Sequence, residues 1–417
     1  MLNRVVVTGI GALTPIGNEV KTFWQNVVAG KSGAARITHF DPTLFKTQFA
    51  CELKDYNPAT YLDSNDLKRT DPFTQYALIA SDEAIKDSGF EFSKMDPFDV
   101  GVIWGSAQGG METFEEQVTG YAQGDGNPRF SPFFVPKLLT NMASGMISLR
   151  NGYMGVNYTA VSACATSNTA IMDAFNYIRL GKAKVIITGG SEAPITPASI
   201  GGFSSMKAMS TLNNDPEGAS RPFDVSRDGF VMGEGAAALV LEDREHAIKR
   251  GAHIYAEVRG ASMTADAYHM TSTHPEGLGA TRAMQLALNE AGISIADLDY
   301  LNMHATSTPI GDLSETKAVL NLTKGEKHKL QISATKSMTG HLLGSAGAIE
   351  AVISLLSIRD KVIPPTINTQ ELDPAVPDSL NIVLGETIDF PVNYAMSNTF
   401  GFGGHNGTVL FADHEAK

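Results

Sequence analysis

Cys164 lies in Val156-Asn-Tyr-Thr-Ala-Val-Ser-Ala-Cys164-Ala-Thr-Ser-Asn-Thr-Ala170, where an apolar run gives way to small residues and then to a helical pattern. A thiol at such a junction sits near the positive end of a helix, where a thiolate is stabilised and backbone N–H groups are unpaired. Its small neighbours leave room for a thioester. A buried structural cysteine would give the same local pattern, so the segment alone leaves both readings open. The other cysteine, Cys51, lies in the alternating Gln48-Phe-Ala-Cys51-Glu-Leu53 and reads as a packing residue.

Two histidines add chemistry. His304 lies in Asn302-Met-His-Ala-Thr-Ser-Thr-Pro-Ile-Gly-Asp312, and His341 in Ser333-Ala-Thr-Lys336-Ser-Met-Thr-Gly-His341-Leu-Leu-Gly-Ser-Ala-Gly-Ala-Ile-Glu350. Both follow predicted strand ends, where α/β folds gather chemistry. Neutral imidazoles near a thiol can donate hydrogen bonds to a developing oxyanion, or one can act as base. Lys336 can tune a histidine, and Glu350 can orient the region around Lys336 and His341. A histidine after a strand is also commonly an ordinary polar contact, and the spacings match no compact metal motif. A third segment, Ser397-Asn-Thr-Phe-Gly-Phe-Gly-Gly-His-Asn-Gly407, is dense in glycine, which permits close backbone approach to a reacting atom. Phe400 and Phe402 can flank an acyl pocket or control entry to it. The order reproduces neither phosphate-loop fingerprint, and a structural turn fits it equally well.

The elements that must position these groups follow from β-branched runs. Val5 to Thr8, Val100 to Trp104, Val156 to Val161, Lys184 to Thr188 and Ala236 to Leu241 read as strands. Asp71 to Ser88 and Thr169 to Leu180 read as helices, the first opened by an Asp cap and a Pro. From Gly105 to Asn141 the pattern is irregular, an inserted region with a short helix near Met111 to Val118. A second set follows: strands at Ile254 to Arg259, Leu298 to Met303, Leu330 to Ser333, Asn393 to Ser397 and Thr408 to Ala412, with helices at Thr281 to Ala291 and Gly347 to Arg359. Continuously apolar strands separated by helices predict an α/β architecture around a largely buried sheet. The boundary falls at Asp243 to Gly251, giving halves 1–250 and 251–417. Residue identity shows no repeat between them, and one large domain with insertions is the alternative.

The 417 residues exceed the size at which one core usually stops growing, which favours two units. With 45 acidic against 32 basic side chains, the net charge of -13 speaks against a duplex nucleic-acid partner. Two cysteines are too few for a disulfide framework and point to a reducing, cytoplasmic setting. Gly9 and Gly11 break the first apolar run, so it reads as a strand rather than a secretion signal. No run of 18 apolar residues predicts a membrane span.

Taken together, the segments around Cys164, His304, Lys336, His341 and Phe402 resemble the β-ketoacyl-[acyl-carrier-protein] synthases, and the elongating bacterial synthase II type in particular. Val5-Val-Val-Thr-Gly-Ile-Gly-Ala-Leu-Thr-Pro-Ile-Gly17, Arg221-Pro-Phe-Asp224 and Asp228-Gly-Phe-Val-Met-Gly-Glu-Gly-Ala236 extend the resemblance over essentially the whole chain. It implies a thiolase-like fold, two related halves in a five-layered αβαβα core, a homodimer, and a dimer and channel role for the Gly105 to Asn141 region. It implies Cys164 as acyl-accepting nucleophile, an oxyanion site at the backbone N–H groups of Cys164 and Phe402, and His304 and His341 as stabilisers of a malonyl-derived enolate. Lys336 and Glu350 become supporting groups, and Phe402, with Phe400 nearby, a gate. No cofactor or metal is implied. Thiolases use a second cysteine, initiating synthases replace one histidine by asparagine, and chain-length factors lose the cysteine; none of these patterns fits. Ala305, Thr399 and His405 depart from common family choices, Ala305 replacing a glycine. The partner implied is acyl carrier protein, with Lys68, Arg69, Arg129 and Lys207 resembling the docking surface. Because that carrier is acidic, a local positive patch is required despite the net charge.

Overall fold

Val5–Leu13 forms strand β1, every residue of it buried. The computed structural model describes residues 2–415. The strand expected over Val5 to Thr8 forms and runs on through Gly9 and Gly11. A Cβ on Gly11 would stand 2.0 Å from the carbonyl oxygen of Ala80, so glycine here lets helix α1, Pro72–Asp87, lie directly on the strand. Asp71 caps that helix through the amide of Phe73, and its second oxygen accepts from the amide and hydroxyl of Thr113.

The first half continues through β2 (Val100–Gly105), helix α2 (Met111–Ala122), β3 (Asn157–Ala160), helix α3 (Thr166–Arg179), β4 (Val185–Glu192) and β5 (Gly235–Asp243). The second half contains β6 (Ala256–Ala265), helix α4 (Leu278–Ala291), β7 (Tyr300–Asn302), helix α5 (Pro309–Thr323), β8 (Gln331–Ser333), helix α6 (Ala346–Asp360), β9 (Asn381–Ile382), β10 (Tyr394–Gly401) and β11 (His405–Ala412). These eleven strands share one sheet in the order β9-β8-β7-β10-β11-β6-β1-β5-β4-β2-β3.

That order contains the repeat that residue identity hides. Outward from the β6–β1 joint, each half runs through two antiparallel pairings and then two parallel ones. Thus β1, β5, β4, β2 and β3 correspond to β6, β11, β10, β7 and β8, with β9 an extra edge strand. The joint is an antiparallel pairing, Val5 opposite Val258, reinforced by a hydrogen bond from Arg4 Nε to Glu257 Oε1 at 2.8 Å.

Helix α1 covers β1, β5 and β4, while α4 covers β6 and β11 with α5 beside it. Between the two half-sheets, α3 touches β4 and β11, and α6 touches β10 and β5. Helix, sheet, helix, sheet, helix is the five-layer thiolase-like arrangement, and it requires a central layer apolar on all sides. Accordingly α6 is buried from Ala346 to Ile358. The expected elements all form. The inserted region carries a longer helix than expected, α2, and a second at Phe134–Leu138. Helix α5 was not anticipated. Among the described residues no helix is long and apolar enough to cross a membrane.

Candidate active site

Cys164 occupies a tight turn, Ala163–Ala165, between β3 and α3. Ala163 takes a left-handed φ of 51° there, a costly conformation for a residue with a Cβ. The corresponding turn of the second half, Leu343–Ser345, repeats the device: Leu343 has φ 46°, and Gly344 stands where the first half has Cys164. The two turns pack against each other at the centre of the molecule.

Strand β10 ends on the cysteine turn. A Cβ on Gly401 would lie 2.6 Å from the carbonyl oxygen of Ser162 and 2.9 Å from the amide nitrogen of Cys164. This close approach aims the backbone N–H groups of Phe402 and Cys164 at the sulfur. Burial nevertheless pushes the thiol up to about 12, against the pull of Lys336 and of those two amides, and the charge of Glu192 adds to the rise. Desolvation thus opposes the helix-end stabilisation of a thiolate that the sequence suggested.

His304 follows β7, as expected. His341 follows β8 only after the short helix Lys336–Thr339, and its backbone is fixed by pairing with Met232. The two imidazoles meet edge to face with ring centroids 5.2 Å apart, and each has a buried Nδ1 without a hydrogen-bond partner. Burial first, then the charge of Lys336, hold both well below the usual histidine range, so they are neutral donors rather than cations. Lys336 forms a fully buried ion pair with Glu350 from α6. That pairing keeps a positive charge beside the histidines without opening the site to water.

Glu315, on the unanticipated helix α5, was missed from sequence. Its carboxylate accepts from the amides of His304 (3.0 Å) and Ala305 (2.8 Å) and from the side chain of Asn398 (3.0 Å). It thereby clamps the loop that carries His304. Ala305 adds a methyl group buried in the surrounding apolar cluster, and its amide remains in this clamp. The signal available in sequence was an acidic residue eleven positions after His304, without an apolar stripe to mark its helix.

Cys164, His304, His341, Phe400 and Phe402 all line one cavity of about 400 Å³. Phe203, Phe230 and Leu343 give it an apolar wall, while Thr271, Ser272, Thr306 and Thr308 supply hydroxyls. The Phe402 ring is 6.2 Å from that of Phe203, and Phe400 is 5.8 Å from His304. A larger concavity of about 660 Å³, around Asp215, Arg221 and Glu371, contains none of these groups. Lys207 stands on the wall of the reactive cavity. Arg129 instead lies in a separate concavity and pairs with Asp125 at 3.0 Å. Lys68 lies over the Phe133 ring at 6.0 Å, with Arg69 ending the same short helix, Ser64–Arg69. Lys207 and Arg129 thus line different concavities. Cys51 is buried and has its thiol pushed up to about 12 by desolvation, as a packing residue should.

The family descriptions β-ketoacyl synthase, N-terminal domain, and β-ketoacyl synthase, C-terminal domain, match residues 2–247 and 255–370. The chain is 50% identical over 415 residues to 3-oxoacyl-[acyl-carrier-protein] synthase 2 of Staphylococcus aureus (strain COL), covering 99% of each. The chain belongs to the β-ketoacyl synthase family. A solved β-ketoacyl synthase from Burkholderia phymatum STM815 superposes with a TM-score of 0.91 at 33% identity, covering 99% of both chains. A type II polyketide ketosynthase, solved in complex with its acyl-carrier protein, superposes with a TM-score of 0.89 at 30% identity over the whole length of both chains. The first β-ketoacyl synthase match ends at residue 247, within the short helix Arg244–Arg250, and the second begins at residue 255.

Proposed function

We propose that the chain is a fatty-acid-elongating 3-oxoacyl-[acyl-carrier-protein] synthase. The observation that carries this reading is the convergence of a thiol, two neutral imidazoles and two backbone N–H groups on one partly apolar cavity. The Cys164 sulfur attacks an acyl thioester brought by acyl carrier protein. The amides of Cys164 and Phe402 receive the oxyanion of the tetrahedral intermediate. Collapse leaves the acyl group on Cys164 and releases the carrier thiol, which takes the proton the cysteine gives up. Malonyl carrier then loses carbon dioxide, and hydrogen bonds from His304 and His341 stabilise the enolate. Its α-carbon attacks the acyl-enzyme, breaking the carbon–sulfur bond and releasing a β-ketoacyl chain two carbons longer, and the departing Cys164 thiolate takes a proton from solvent to become the thiol again. A protonated histidine would attract the malonate carboxylate and stabilise the very charge that must be lost as neutral carbon dioxide, whereas a neutral donor does not. Their depressed titration fits the neutral role.

Lys336 supports the histidines electrostatically, Glu350 holds Lys336, and Phe402 with Phe400 forms the gate. The halves 1–250 and 251–417 each contribute one side of the site. Lys207, at the cavity, is the docking residue nearest the chemistry, with Lys68, Arg69 and Arg129 serving on the wider carrier surface. The active species is a cytoplasmic homodimer. Its support is the free edge of β3 at the end of the sheet, with Val161 exposed directly after that strand, together with the exposed Phe114, Val118 and Tyr121 of α2.

The test is incubation with acyl and malonyl carrier proteins, following the Cys164 thioester by mass, carbon dioxide release and product length. The intact chain should yield all three, and Cys164→Ala should yield no acyl-enzyme and no elongated product. Elongation by Cys164→Ala at the unsubstituted rate would overturn the assignment.

A further inference from the structure

Glu192 is the last residue of β4, is 1% exposed, and takes no part in the chemistry above. Its Oε1 accepts from the Ser106 hydroxyl at 2.7 Å and from the amides of Ala107 at 2.8 Å and Gln108 at 3.3 Å. Its Oε2 is buried with no hydrogen bond of ordinary geometry, and the nearest donor is the backbone amide of Gly344, close enough to help hold its charge. On its other side stands the Leu343–Ser345 turn, so close that a Cβ on Gly344 would lie 3.4 Å from the Glu192 carboxyl carbon. That turn packs on the Cys164 turn, and Leu343 and Cys164 line the same cavity. A half-satisfied buried carboxylate is expensive, and full burial of this one raises it to about 7. A neutral amide of the same shape would satisfy the three donors without that cost.

From this placement we infer that Glu192 is a positioning residue that restrains the resting nucleophile: its carboxylate ties the Ser106–Gln108 loop to the nucleophile wall while its negative charge opposes ionisation of Cys164. The groups facing the sulfur make the balance explicit. Lys336 favours the thiolate, Glu192 disfavours it, and His304 and His341 are neutral, with Glu350 compensating Lys336 from behind. Ionisation is suppressed until a bound thioester supplies an electrophile, and the same restraint protects the thiol from adventitious alkylation. The inference rests on Cys164 as the acyl-accepting group.

The coupling has a recognisable pH signature. Below the titration of Glu192 the carboxyl is neutral and does not oppose the thiolate; above it, the charge does. The logarithm of the Cys164 alkylation rate should rise with pH along two unit-slope limbs, joined by a flatter stretch near pH 7. Glu192→Gln keeps the acceptor for Ser106, Ala107 and Gln108 and removes the charge. It should give one straight limb continuing the acid branch, with Cys164 alkylated by iodoacetamide about tenfold faster at pH 8. Peptide mass spectrometry separates Cys164 from Cys51, and far-ultraviolet circular dichroism verifies the fold. Single-turnover acylation above pH 7 should accelerate in the variant, while KM for the acyl donor stays unchanged. A wild-type profile without a flattened stretch overturns the inference, a measurement that needs no variant. So does a Glu192→Gln profile superimposable on wild type. Neither result touches the role of Cys164 itself, which is decided by the Cys164→Ala elongation assay.

Discussion

Replacing Gly401 by alanine tests the geometry on which acyl transfer depends. Gly401 has ordinary extended backbone, so alanine meets no dihedral penalty; space alone decides the outcome. The new methyl would stand 2.6 Å from the Ser162 carbonyl, 2.9 Å from the Cys164 amide nitrogen and 3.1 Å from that of Ala165. All three are backbone atoms, so no side-chain rotation relieves the contact. An ordinary contact of about 3.4 Å requires the end of β10 and the cysteine turn to separate by about 0.8 Å. Phe402 follows directly in sequence and moves with the strand, carrying one oxyanion donor away from the sulfur.

Overpacking of this kind costs about 1–3 kcal/mol of stability, which a chain with a buried core of this extent survives. Loss of one oxyanion donor costs about 10²–10³ in rate. Gly401→Ala should therefore transfer an acyl group from carrier to Cys164 at least about 100-fold more slowly in single turnover. Alkylation of Cys164 by iodoacetamide develops no oxyanion and loses only the Phe402 amide's share in stabilising the thiolate, so it serves as the control. It should fall by no more than about threefold. Folded Gly401→Ala that acylates at the wild-type rate would refute the reasoning. So would an equal fall in alkylation and acylation, because that pattern means a displaced or occluded sulfur rather than a lost donor.

Four other outcomes follow from the same contacts. Glu350→Ala strands the Lys336 ammonium in the core and should cost about 3–5 kcal/mol in urea unfolding, with Lys336→Met/Glu350→Leu recovering most of it; an additive double variant refutes this. His341 stays neutral when folded, but the unfolded chain binds a proton there below about pH 6.5, so wild type loses stability relative to His341→Asn by about 1.4 kcal/mol per pH unit on the acid side. Paired urea titrations at pH 7.5 and 5.5 read that difference, and a pH-independent gap contradicts it. Lys207→Glu should raise KM for carrier-bound acyl groups while leaving a short pantetheine-type thioester unaffected, and should flatten the salt dependence; identical KM across salt concentrations excludes docking there. Val161→Arg, at a site 58% exposed beside the free sheet edge, should shift the mass in light scattering from dimer to monomer, and a persistent dimer places the interface elsewhere.

The elements and residues that sequence exposed differ from those it concealed in a physically consistent way. Strands such as Val100–Gly105 and Val185–Glu192 were legible because burial on both faces demands a continuous apolar run. Strand ends were less legible: β1 continues past Thr8 because Gly9 and Gly11 serve a close helix contact rather than a turn, and glycine alone does not distinguish the two. Helix α5 was hidden by the feature that makes it useful. Its buried face carries Asp312, Ser314, Glu315 and Thr316, so no apolar stripe marks it. The Cys164 and His304 segments were recognisable locally, but the energetics of the site were not. The amides of Phe402, the charge of Lys336 and the carboxylate of Glu192 come from distant stretches of chain, and their balance with desolvation decides whether Cys164 rests as thiol or thiolate. A local motif can specify a thiol at a helix start, where the dipole favours ionisation. Desolvation pulls the other way, and the sheet's internal repeat supplies part of it by packing a second turn, Leu343–Ser345, against the first. Reactivity here is thus a property of the paired halves: a single half could carry the cysteine, but neither its oxyanion strand nor its neutral histidines.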